Sequence, residues 1–217
     1  MHSKITLLFS LLLLLGATGC EEFYDIVDDL KPRPPKSKAF ATGLIAPLGL
    51  ESDETGQLWV TEAGTGEASN GQLSFVDAQG KVYPVVQGFT SVASPEGAIF
   101  GLNHLVLKDN ILYMLHGVEG KMYKLDISKY KPGDKPLRAA DLEFEDIGSF
   151  VKDYSFPEDT DETDIFNLTV GPDGDLFIVD AAANAVIRRD ADTKELSVFA
   201  TIPPVKNPGG EPDMVQA

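Results

Sequence analysis

The chain has 217 residues, 43% of them hydrophobic and 24% charged, a composition that supports a packed core and excludes a wholly disordered chain. With 34 acidic and 18 basic side chains the net charge is −16, a surface that repels phosphate backbones and excludes nucleic acid as the expected partner. A single cysteine excludes any intrachain disulfide.

The chain opens with a short basic stretch, "MHSK", and the apolar run "ITLLFSLLLLLGATG". About a dozen apolar residues are too few to span a bilayer and match the core of a signal peptide, predicted here over residues 1–19. The run ends in the small residues Ala17, Thr18 and Gly19, followed by Cys20. This ending resembles a bacterial lipobox, with Ala17 where Leu is common. The resemblance implies that Cys20 carries a diacylglyceryl thioether and becomes the first residue of an exported, membrane-anchored protein. Ordinary secretory cleavage with Cys20 as a bystander is the alternative. Glu21 follows the cysteine where inner-membrane retention would favour Asp, which points to the outer membrane or cell surface of a bacterial envelope. Residues 20–38 pass from acidic to proline-rich, with Pro32, Pro34 and Pro35 favouring an extended tether.

The remainder, 39–217, is repetitive. "PLGLESDETGQLWVTE" (47–62), "NHLVLKDNILYMLH" (103–116) and "NLTVGPDGDLFIVD" (167–180) each predict a hairpin. The second and third align without a gap, and the first aligns if its turn is two residues longer. A third strand follows each, "QLSFVD" (72–77), "KMYKLD" (121–126) and "AVIRRD" (185–190), always ending in Asp. A fourth follows in the first and last units, "KVYPVVQ" (81–87) and "ELSVFA" (195–200). The middle unit instead carries the insert "SKYKPGDKPLRAAD" (128–141).

In "GPDG", Pro172 presets a type I turn and Gly174 is expected in the left-handed conformation. The strands after these turns are apolar on both sides, Leu176 and Ile178 against Phe177 and Val179, where a two-layer sandwich would show one wet face. Four-stranded antiparallel units buried front and back, recurring about every 45–65 residues, predict an all-β fold, a β-propeller of which about three blades are present. Because three blades do not close a ring, the chain is expected to be part of a larger propeller.

The segments "GLIAPLGLESDETGQLWVTEAGTG", "NLTVGPDGDLFIVDAAANAVIRRD" and "VFATIPPVKNPGG", in that order and spacing, resemble the ScyD/ScyE family of scytonemin-cluster proteins from about Gly43 onward. The resemblance implies a six-bladed propeller related to NHL and SMP-30-like proteins, continuing into a further blade. It implies no catalytic motif.

Propellers bind ligands around their central channel, at the starts of the innermost strands. Asn103 and Asn167 align there, with Pro47 in the first unit. SMP-30-like lactonases hold a divalent metal with Glu, Asn and Asp oxygens at such positions, so the two asparagines resemble half of a Ca²⁺ site. Asp213 would join them only if a blade began there, and bonding to nearby backbone is the simpler role for both. Glu62, His116 and Asp180 share the end of the second strand, a register open to His–carboxylate chemistry but more simply explained by capping of the next turn. His104 is expected to pack or to line a rim. The acidic run "EDTDETD" (158–164) could hold Ca²⁺ weakly, yet lacks EF-hand spacing. Phe40, Trp59, Tyr113 and Phe177 are expected in the core. No nucleophile elbow, zinc-binding helix or phosphate loop occurs. The functional expectation is therefore an exported, lipid-anchored binding or scaffold module for an unidentified small molecule or protein. The alternative is a divalent-metal-dependent hydrolase of the gluconolactonase kind.

Overall fold

The structure is a computed structural model that describes residues 37–156 and 161–203. The signal segment, Cys20, the tether up to residue 36, residues 158–160 of the acidic run, and Asp213 lie outside the described residues. A compact unit begins at Phe40.

Three antiparallel sheets follow one another along the chain. The first contains β1 (Pro47–Ser52), β2 (Leu58–Glu62), β3 (Gly71–Val76) and β4 (Val82–Phe89), paired in sequence order. A short hairpin, β5 (Val92–Ala93) and β6 (Ile99–Phe100), leads into the second sheet. That sheet is built from β7 (Leu102–Lys108), β8 (Ile111–His116), β9 (Lys121–Asp126) and, after β10 (Leu137–Arg138), an outer strand β11 (Glu143–Asp146). One helical turn, α1 (Gly148–Asp153), connects to the third sheet, which consists of β12 (Ile165–Val170), β13 (Leu176–Asp180), β14 (Ala185–Arg189) and β15 (Leu196–Thr201). The first strands β1, β7 and β12 stand beside one another, β1 against β7 and β7 against β12. Four-stranded meanders stacked around adjacent inner strands are blades of a β-propeller.

Turn chemistry sets the hairpins. Between β1 and β2, Asp53 N–H bonds Gln57 O and Gly56 N–H bonds Asp53 O; between β12 and β13, Gly171 N–H bonds Asp175 O and Gly174 N–H bonds Gly171 O. Both loops place glycine at positive φ, 78° at Gly56 and 85° at Gly174, where a side chain would be strained. The middle hairpin turns instead on two residues, Asp109 and Asn110 at φ 51° and 61°, the two-residue type I′ solution. The recurrent Asp after the third strand is explained by the turn that follows it. Asp77 Oδ1 accepts from Gln79 and Lys81 N–H, Asp126 Oδ1 from Ser128 N–H, and Asp190 Oδ1 from Asp192 and Thr193 N–H.

Packing between blades is apolar. Trp59, Leu73 and Phe75 of the first blade meet Leu105, Leu112 and Met114 of the second. Leu115 and Met122 of the second meet Ile165, Ile178 and Ile187 of the third. Met114 and Leu115 are consecutive, point to opposite faces of β8, and are both fully buried. Burying each contributes roughly 1.5–3 kcal/mol, so the middle blade is held from both sides.

The third blade differs from the expectation that both its faces are dry. Leu176 and Ile178 face the second blade and are buried, while Val179 on the other face is 38% exposed and Phe199 62%. Phe177 lies edge-on against Phe199 at 4.9 Å, so that face is apolar without a fourth blade against it among the described residues. Phe40, expected in the core, is 56% exposed because it precedes β1 and belongs to no strand.

The insert is part of the architecture. Tyr130 packs on Trp59 and Phe75, β10 runs parallel to β4 as a fifth strand of the first sheet, and Ala139 enters the core between the first two blades. The chain then returns as β11 to complete the second blade. From there Glu145 accepts two hydrogen bonds from Arg189 of β14, at 2.8 and 2.7 Å, clasping the second blade to the third.

Candidate functional site

The residues singled out at the second-strand ends are equivalent in three dimensions. Glu62 pairs with Pro47, His116 with Leu102, and Asp180 with Ile165, each at the entry of an inner strand and each followed there by a register shift. All three side chains are 0% exposed. Each grips the segment leading into its own blade. Glu62 Oε2 accepts from Ile45 N–H at 2.5 Å. Asp180 accepts from Asp164 N–H at 3.2 Å, from Thr163 Oγ1 at 2.6 Å and from Ala183 N–H at 2.9 Å. His116 reverses the polarity: its Nδ1 accepts from Glu119 N–H, which leaves Nε2 to donate to Thr90 O at 2.9 Å. Burial lowers its pKa, in keeping with that neutral tautomer. The shared register therefore reflects one recurring structural task, and the three groups serve three separate blades.

Glu62 is further engaged by Ser74 Oγ at 2.5 Å and Gln72 Nε2 at 2.8 Å. Beside His116, Glu119 receives Thr90 Oγ1, Lys121 Nζ and Tyr123 OH. Burial alone would raise the Glu119 carboxyl, but these three donors outweigh it and bring the pKa down to about 2. Neither carboxylate has been left idle by the fold.

Asn103 and Asn167 do not occupy matching positions. Opposite equivalent second-strand residues, Leu105 pairs with Met114 and Leu168 with Ile178, so Asn103 corresponds to Phe166 and Asn167 to His104. The first and third hairpins have five-residue turns and the middle one a two-residue turn, which displaces a gapless alignment by one on the inner strand. Asn103 is buried, and its Nδ2 donates to Ile165 O at 3.0 Å, tying the second blade to the third. Thr61 Oγ1 donates in the same way to Asn103 O from the first blade. Asn167 is exposed and its Oδ1 accepts from Leu168 N–H. His104 is half-buried, edge-on to Phe166 at 5.0 Å.

Sequence patterning did not single out Asp164, the last residue of the acidic run. It is half-buried beside Asp180 and Asn103, and burial followed by the Asp180 charge raises its carboxyl above the usual range. Gly117 makes the arrangement possible, because a Cβ there would collide with Asp164 Oδ1 and Asn103 Nδ2. A cavity of about 300 Å³ opens next to this pair, between Phe100, Gly117, Thr163 and Ala182. Among the described residues no three His, Cys, Asp or Glu side chains are placed to hold a metal ion. Asp161 and Glu162, also from the acidic run, are exposed.

No known family profile and no curated protein matches the sequence. Among solved structures the chain is similar to a streptogramin B lyase, with 17% identity over 76% of this chain and 44% of that one and a TM-score of 0.47. It is similar to a nidogen/laminin complex structure, with 17% identity over 73% and 48% and a TM-score of 0.46. It is also similar to the PQQ-bound aldose sugar dehydrogenase of Streptomyces coelicolor, with 18% identity over 74% and 51% and a TM-score of 0.49. The chain spans about half the length of these β-propeller-like structures.

Proposed function

We propose that the protein is an exported, lipid-anchored β-propeller of the ScyD/ScyE kind that works as a binding or scaffold module at a bacterial envelope surface. The observation that carries this reading is the N-terminal sequence: a basic start, a short apolar run, small residues and then the chain's single cysteine, Cys20. A single acyl chain gives only marginal membrane attachment, whereas two or three acyl chains make it durable. The propeller supports the binding role because the buried polar residues suited to acid–base work, Glu62, His116 and Asp180, are engaged in holding the backbone. The metal-dependent hydrolase alternative is not favoured, since Asn103 stands out of register with Asn167, whose Oδ1 already accepts from Leu168 N–H. Labelling with palmitate in a bacterial host tests the anchor. Incorporation sensitive to globomycin, with Cys20→Ser released from the membrane fraction, is the expected result. Unchanged fractionation of Cys20→Ser would overturn the reading.

A further inference from the structure

At the ends of the strands opposite Glu62 and His116, a cleft of about 580 Å³ separates the first blade from the second. Its volume lies within the range of small-molecule sites, roughly 300–1,000 Å³. The accessible apolar part of its wall is formed by Leu107, Ile127, Tyr130 and Pro132, with the buried Trp59 edge-on to Tyr130 at 5.2 Å. Among the described residues the charged part is entirely negative: Glu51, Asp53, Glu54 and Asp109 line the cleft, and no Lys, Arg or His does.

The four carboxylates are not equivalent. Asp53 is committed to its own turn, accepting from Thr55 and Gln57 N–H and from Trp59 Nε1. Glu54 and Asp109 sit at exposed loop tips. Glu51 differs from these: it is a strand residue paired with Trp59, on the side of β1 that faces the second blade. It is half-buried, and desolvation raises its carboxyl, offset only in part by a backbone hydrogen bond from Ser52. One half-buried carboxylate above an apolar wall does not make the oxygen shell a divalent metal requires. It does suit a single positive charge attached to an apolar body, which would neutralise Glu51 while its body covers the half-buried Leu107 and Tyr130.

We infer that the cleft between the first two blades binds a small organic ammonium ion, with Glu51 pairing its charge and Leu107 and Tyr130 taking its apolar part. The inference deepens the binding-module reading by naming a site and a ligand class. It is independent of membrane anchoring, so the Cys20→Ser result and the present test fail separately.

Trp59 is the only tryptophan in the chain, so its fluorescence reports this cleft alone. Full-length protein is titrated with benzylammonium chloride, with the neutral benzyl alcohol, and with calcium chloride. A saturable change in Trp59 emission with benzylammonium, and none with the other two, is expected. Glu51→Gln should weaken the benzylammonium response about tenfold, equivalent to ~1.4 kcal/mol, with an unchanged far-UV circular dichroism spectrum. An equal response to benzyl alcohol, a saturable response to calcium, or no response to benzylammonium would each overturn the inference. The wild-type titrations decide it even if the variant does not fold.

Discussion

Asp164 shows how one buried carboxyl couples folding to pH. Burial and the neighbouring Asp180 raise its pKa above the ordinary 3.8. A carboxyl raised on folding contributes fully below its unfolded value, and that contribution is lost as pH rises through the folded value. Near neutral pH Asp164 is therefore a cost that the fold carries, offset by the hydrogen bond its N–H makes to Asp180. Asp164→Asn keeps the shape and removes the charge. Thermal melts are expected to show the variant more stable than wild type at pH 7 and equal to it at pH 3; equal melts at both pH values would refute the assignment. Glycine at position 117 was unremarkable as a letter in the sequence, yet it leaves the space in which Asp164 and Asn103 approach each other. Asp164 itself was hidden in the acidic run, where composition alone suggests solvated loop. The third-strand Asp residues were legible as a repeat because an Asx turn leaves a fixed residue at a fixed place.

Strands and turns were legible wherever local chemistry dictates them. Apolar runs bounded by Gly, Asn and Asp marked the hairpins, and Gly174 takes the positive φ that its turn requires. Among the elements that escaped, β10 and β11 show the physical reason. β11 reads "EFED", with only Phe144 apolar, because its role as an outer strand is set by pairing with β9 and not by burial. β10 is two residues long and pairs in parallel with a strand of the preceding blade, a contact that no local pattern encodes. The one-residue displacement of Asn103 against Asn167 has the same origin: a two-residue turn in one hairpin is compensated by longer strands, so equal lengths hide unequal registers. Between elements, the Arg189–Glu145 clasp joins the second and third blades through a side chain that is 6% exposed on the arginine side. Removing Arg189 loses two charge-assisted hydrogen bonds but leaves Lys124 Nζ 3.3 Å from Glu145. Arg189→Met is expected to cost about 2 kcal/mol in urea unfolding, the scale of lost hydrogen bonds between charged groups. A loss below about 0.5 kcal/mol, the range of ordinary surface substitutions, would show that the clasp does not hold the blades.

At the scale of the molecule, blade order was legible because each unit repeats the same series of strand, turn and strand. The open apolar face of the third blade was not, because alternation within a strand does not say whether a neighbour covers it. Glu62, His116 and Asp180 gain meaning at this scale, as one position copied around the arc to secure the entry of each inner strand. The same scale locates the organic-cation cleft, which exists only because two blades and the insert meet there. Both conclusions depend on the middle sheet lying between two others, with neither face open to water. Cysteine accessibility tests this directly in a Cys20→Ser background, which leaves no other thiol in the chain. Met114→Cys and Leu115→Cys place a single thiol on opposite faces of β8. Stacked blades predict that both thiols resist a water-soluble thiol reagent in the native protein and react once it is unfolded in urea. Rapid native labelling of either one, with the other protected, would mean a sheet with one wet face and would contradict the propeller.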